Sequence, residues 1–161
     1  MKRLVLMMVV MVACGNVAAD ACNGEFPKKG SLQSFTKAAR LSDEAISLNS
    51  SKQPDRAIAK LIEAIRIYPY DAALYTNLAL VFENDKRDFA AARKWFNSGI
   101  QQEPRCASIR LGLIGLLLEE KKFSEARRTL NLVKGFDLTQ EDRQEIAKVS
   151  KVLDDNNSHG K

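Results

Sequence analysis

Residues 54–69 read PDRAIAKLIEAIRIYP, and residues 89–104, FAAARKWFNSGIQQEP, follow them at a spacing of 35. In both, a small residue (Ala57, Ala92), a large apolar one four places on (Leu61, Phe96) and a closing proline (Pro69, Pro104) hold the same register. Ala126 and Leu130 continue it 34 residues later. Upstream, the same period relates Leu41 to Tyr75, Ala45 to Ala79 and Leu48 to Phe82. Repetition at this length marks helical hairpins stacked into a solenoid.

The fold class expected is therefore all-α: an α-solenoid of three helical hairpins plus a C-terminal capping helix. Small residues at Ala45, Ala57, Ala79, Ala92, Gly99 and Ala126 let antiparallel helices approach, and Leu61, Phe96 and Leu130 fill the space between them. Asp71 and Asp88 stand where a side chain would cap a helix start, and Pro54 suits a first turn. Pro69 and Pro104 stop the helices before them.

This pattern resembles the tetratricopeptide repeat. The first repeat carries Leu41, Ala45, Leu48, Ala57, Leu61, Ala64 and Pro69 at the marker positions; the second carries Tyr75, Ala79, Phe82, Ala92, Phe96, Gly99 and Pro104, with one extra residue in the Asn84 to Asp88 turn. The third keeps Leu113, Leu117, Phe123, Ala126, Leu130 and Val133, but Arg110 replaces an aromatic or leucine and the closing proline is missing. The resemblance covers residues 34–136, divided at about 38–71, 72–106 and 107–136.

Outside the repeats the chain is simple. A basic Met1-Lys2-Arg3 precedes an apolar run from Leu4 to Ala13 that is too short for a permanent membrane span and suits a secretory signal. Two cuts compete: an ordinary signal-peptidase site after Ala19 or Ala21, giving a signal over 1–19, and a lipoprotein cut before Cys14, removing 1–13 and lipidating Cys14. Residues 20–33 read as an extended lead-in, with Ser31 or Ser34 beginning the first helix. Residues 137–154 carry a capping box at Thr139 to Asp142 and an apolar stripe of Ile146, Val149 and Leu153; residues 155–161 read as a disordered tail.

The expected localisation is export, to the periplasm or anchored at the outer membrane of a Gram-negative bacterium. Two cysteines remain beside Cys14, and an even pair outside the cytoplasm predicts a Cys22–Cys106 disulfide. It would close a loop of about 85 residues, for which loop entropy gives roughly 4–5 kcal/mol.

Net charge is +5, and removing residues 1–19 takes away only Lys2 and Arg3, leaving 23 basic against 20 acidic residues. That balance does not suggest a nucleic-acid partner. The single histidine, His159, lies in the tail, so no triad or metal pair forms around it, and no enzyme, metal or cofactor is expected. Gly112 and Gly115 lie in a leucine-rich helix with no phosphate-loop signature, which points to close helix packing.

What remains is a surface. In the repeat family the concave face, lined by the first helix of each hairpin, is the usual peptide-binding site, and the resemblance places Ile46, Asn49, Thr76, Asn77, Leu80, Glu83, Leu111 and Leu118 on it. Of the two-carboxylate clamp that some members use for chaperone C-termini, only Asn77 matches; Ser42, Ile46, Ser108 and Gly112 replace the rest, so a terminal carboxylate would lack its cations. An apolar groove for another envelope protein or peptide segment is expected instead, in an adaptor assisting pilus or secretion-apparatus assembly. The alternatives are a self-associating envelope scaffold with no separate ligand, and a groove already filled by the lead-in through Phe26 or Leu32. Membrane contact is expected only through a lipid anchor.

Overall fold

Ser31 caps the first described helix: its hydroxyl accepts from the Ser34 amide at 3.1 Å at the start of α1, Leu32–Ser50. The computed structural model describes residues 30–158, with side chains to residue 156; the signal, Cys14, Cys22, most of the lead-in and His159 lie outside them. Six further helices follow: α2 (Pro54–Ile67), α3 (Ala72–Asn84), α4 (Phe89–Gln102), α5 (Ala107–Glu119), α6 (Phe123–Val133) and α7 (Gln140–Ser158). No strand occurs among the described residues.

Their ends follow from local chemistry. Pro54 opens α2 at its first turn. Asp71 Oδ1 accepts from the Ala73 amide at 2.8 Å and Asp88 Oδ1 from the Ala91 amide at 2.9 Å, so α3 and α4 start on side-chain caps. α2 and α4 end at Ile67 and Gln102, and the residues before Pro69 and Pro104 have already left helical geometry. Thr139 and Asp142 cap α7 reciprocally, at 3.0 and 3.1 Å.

Helices α1/α2, α3/α4 and α5/α6 form the hairpins, and successive hairpins stack through α2 on α3 and α4 on α5. Ala57, Leu61, Ala92, Phe96, Ala126 and Leu130 are all buried. A β-carbon on Gly99 would lie 2.7 Å from Tyr75 Cβ and 2.2 Å from Ile109 Cδ1; one on Gly112 would lie 2.6 Å from Phe96 Cε1. Gly112 is thus a close-packing glycine, as its place in an apolar helix suggests. Each hairpin turn carries one residue in the left-handed region: Lys52 (φ 60°), Arg87 (φ 54°) and Lys121 (φ 59°). They repeat at the solenoid's own spacing, although none is a glycine.

α7 packs on α5 and α6, as the first helix of a fourth hairpin would. Ile146, Val149 and Leu153 are buried, whereas Ala147, 34 residues after the packed Leu113, is exposed, with no further helix over it among the described residues. Arg143, Gln144, Lys148 and Lys151 are exposed as well, so the outer face of α7 is polar. The helix continues to Ser158, past residue 154, so the first residues of the expected disordered tail are helical. Arg127 holds this end by donating to Asp154 Oδ1 (3.1 Å) and to the Leu153 carbonyl (2.8 Å).

Candidate functional site: the first-helix face

Because α1, α3 and α5 are the first helices of consecutive hairpins, and α3 packs on both others, they lie side by side and make one continuous face. The sequence places eight candidate residues on it, and the structure divides them by exposure.

At the N-terminal end the face is accessible and polar. Ile46 is 51% exposed. Asn49 Nδ2 donates to Asp85 Oδ2 at 3.0 Å and Asn77 Nδ2 donates to Ser42 Oγ at 3.2 Å, so carboxamides join α1 to the next hairpin twice. Thr76 turns its hydroxyl back onto the Ala72 carbonyl at 3.0 Å.

Towards the C-terminal end the expected open apolar groove is not found. Leu80, Leu111 and Leu118 are 8%, 7% and 4% exposed. All three belong to the larger apolar cluster, in the part of the face where α3 and α5 pack, so they are interior side chains. Glu83, expected to line the groove, is 1% exposed. Burial first, and then the neighbouring Glu119 carboxylate, push its acid up to about 8.

Three features escape a reading of helical periodicity. Arg110, the residue that breaks the third repeat's pattern, lays its guanidinium over the Phe136 ring at 5.0 Å, and Arg105 approaches that ring at 5.5 Å. Phe136 thereby draws the chain after α6 back onto α5. Arg93 on α4 pairs with both Glu120 and Glu125 of the next hairpin. Phe35, Tyr68 and Tyr70 form edge-to-face contacts with centroids 5.4 and 5.6 Å apart.

Cys106 is buried at the start of α5, its Sγ 3.2 Å from Ser108 Oγ. The Cys22 end of the expected bond and the expected lipidation site at Cys14 lie outside the described residues. Among the described residues no group of three or more His, Cys, Asp or Glu is placed to hold a metal, and no helix is long and apolar enough to cross a membrane.

These features define an all-α solenoid of tetratricopeptide-like hairpins, and comparison with known proteins agrees. The tetratricopeptide repeat family model matches residues 83–146. The first tetratricopeptide domain of Spaghetti (RPAP3), solved bound to the HSP90 peptide SRMEEVD, is 21% identical with a TM-score of 0.61, over 74% of this chain and 97% of that one. PilF of Pseudomonas aeruginosa is 24% identical with a TM-score of 0.55, over 78% of this chain. The present chain spans 58% of that PilF chain. At such identities the likeness is one of fold. No curated protein matches the sequence.

Proposed function

We propose that this protein is a non-catalytic tetratricopeptide-type adaptor of the bacterial cell envelope. It binds a segment of another envelope protein on the first-helix face and assists assembly of a pilus or secretion apparatus. The observation that carries this reading is the N-terminal half of that face, where half-exposed Ile46 stands beside the Ser42–Asn77 and Asn49–Asp85 pairs. An apolar anchor flanked by hydrogen-bonding groups that carry one carboxylate, Asp85, and no cation suits an uncharged or mixed segment better than a terminal carboxylate. Two likenesses of fold stand beside the reading: one neighbour was solved with a peptide, and the other is PilF of Pseudomonas aeruginosa.

Export follows from the apolar start, with cleavage after Ala19 or Ala21, or before Cys14. In that compartment Cys22 and Cys106 form a disulfide that ties the lead-in to the junction between the second and third hairpins.

Complementation of a host deletion tests the reading. Ile46→Glu and Asn77→Ala variants should reach the envelope at normal levels yet fail to restore the assembled organelle. Normal assembly with both variants would refute the assignment to this face.

A further inference from the structure

The last turn of α3 carries a carboxyl group that electrostatics alone would not place there. Glu83 is 1% exposed, and its Oε2 has no hydrogen-bond partner. The cation that acts on it is engaged elsewhere: Arg87 donates to Glu119 Oε1 at 2.7 Å, while Arg93 is held between Glu120 and Glu125. The other charged groups facing Glu83 are Glu119 and Glu120, at the end of α5. At this end α1 brings only the neutral amide of Asn49, bonded to Asp85, and α2 brings Asp55, which is paired with Lys86. An ionised carboxylate in such a site would be buried, unpaired and beside two like charges.

We propose that Glu83 and Glu119 share a single proton and form a pH-responsive latch between α3 and α5. With the proton present, Glu83 donates to the Glu119 carboxylate, whose other side takes Arg87, and the second and third hairpins are fastened at the C-terminal ends of their first helices. When Glu83 loses that proton, two adjacent carboxylates face each other with one arginine, held on the far side of Glu119, to balance them, and these helix ends separate. Leu80 and Leu118, in the same cluster and on the same turns, would then meet solvent.

The sign follows from linkage. Glu83 holds its proton more tightly in the fold than in an opened or unfolded chain, rising from an ordinary value of 4.5 to about 8. The latch's contribution is complete below about 4.5 and is lost as pH rises to about 8. Across that window the equilibrium for opening should rise about tenfold per pH unit, since one proton leaves with each opening.

Two measurements test this. Carbon-13 NMR of the glutamate carboxyls should give Glu83 a midpoint near 8, and Glu119→Gln should lower that midpoint by removing the adjacent charge. A wild-type midpoint near the ordinary carboxylate value, or one unmoved by Glu119→Gln, overturns the latch. Hydrogen exchange over residues 80–88 and 116–121, corrected for intrinsic base catalysis, should accelerate about tenfold per pH unit in the wild type and stay flat in Glu83→Gln. An unchanged slope in Glu83→Gln overturns it too. Should that variant fail to fold, the wild-type midpoint decides.

Discussion

Phe96 and Gly112 face each other across the interface between α4 and α5, and a double-mutant cycle on the pair tests how the second and third hairpins stack. Gly112→Ala alone would set a β-carbon 2.6 Å from Phe96 Cε1, closer than carbon atoms approach. Phe96 is fully buried, so its ring can yield only by displacing the side chains packed around it. Overpacking of this kind costs about 1–3 kcal/mol, against a gain of about 0.5–1 kcal/mol from replacing a mid-helix glycine. The single variant should therefore lose roughly 0–2.5 kcal/mol net. Phe96→Ala alone should lose about 3–5 kcal/mol through lost burial and the cavity it leaves. In the double variant the clash is gone, and the methyl group added at position 112 keeps the helical gain while filling part of the cavity. The two losses should then fall short of additivity by about 1–3 kcal/mol. Urea unfolding followed by helical circular dichroism provides all four stabilities, provided the slope with denaturant is unchanged. Additivity within about 0.5 kcal/mol would show that the two residues are not in contact and refute the stacking register.

Leu80→Glu should cost several kcal/mol, on the order of 2–5, because it places a charge in the apolar cluster, whereas Ile46→Glu at the half-exposed end of the same face should leave the melting temperature within a few degrees. Thr139→Ala removes one half of the reciprocal cap on α7 and should lower stability by about 0.5–2 kcal/mol in a urea titration, more than the exposed Ser124→Ala. Non-reducing peptide mapping of the secreted protein should recover Cys22 linked to Cys106, with a reduction penalty of up to roughly 4–5 kcal/mol; two free thiols would contradict that pairing. Mass spectrometry of the envelope fraction should find an amino terminus at Cys14, Asp20 or Cys22, and intact Met1 in the cytoplasm would contradict export.

The architecture was legible because hairpin packing imposes a rule on single positions. Ala57, Ala92 and Ala126 must be small for two helices to approach, so their spacing reports the fold directly. Caps at Asp71, Asp88 and Thr139 were legible for the same reason, being local hydrogen bonds between near neighbours. The face was half legible. The family resemblance placed Leu80, Leu111 and Leu118 on the groove, but whether a side chain there meets water depends on what packs over it, and all three are buried. Glu83 is a stronger case, since nothing within its own helix foretells a buried acid; the Glu119 that shares its site is 36 residues away. The left-handed turns were hidden for a different reason, because Lys52, Arg87 and Lys121 are not the residues that usually mark such geometry. Arg110 looked like a defect in the third repeat and is instead one side of the Phe136 contact.

Site-specific photo-crosslinking in the living cell most directly tests whether the first-helix face meets a partner. A photoreactive phenylalanine analogue at Ile46 on α1 is compared with one at Leu132 on α6, which is 63% exposed on a second helix. The Ile46 probe should give one discrete adduct with another envelope protein, suppressed by Asn77→Ala, while the Leu132 probe gives none. Adducts only from Leu132, or an Ile46 adduct of twice the chain's own mass, would contradict the adaptor and point to the convex side or to self-association.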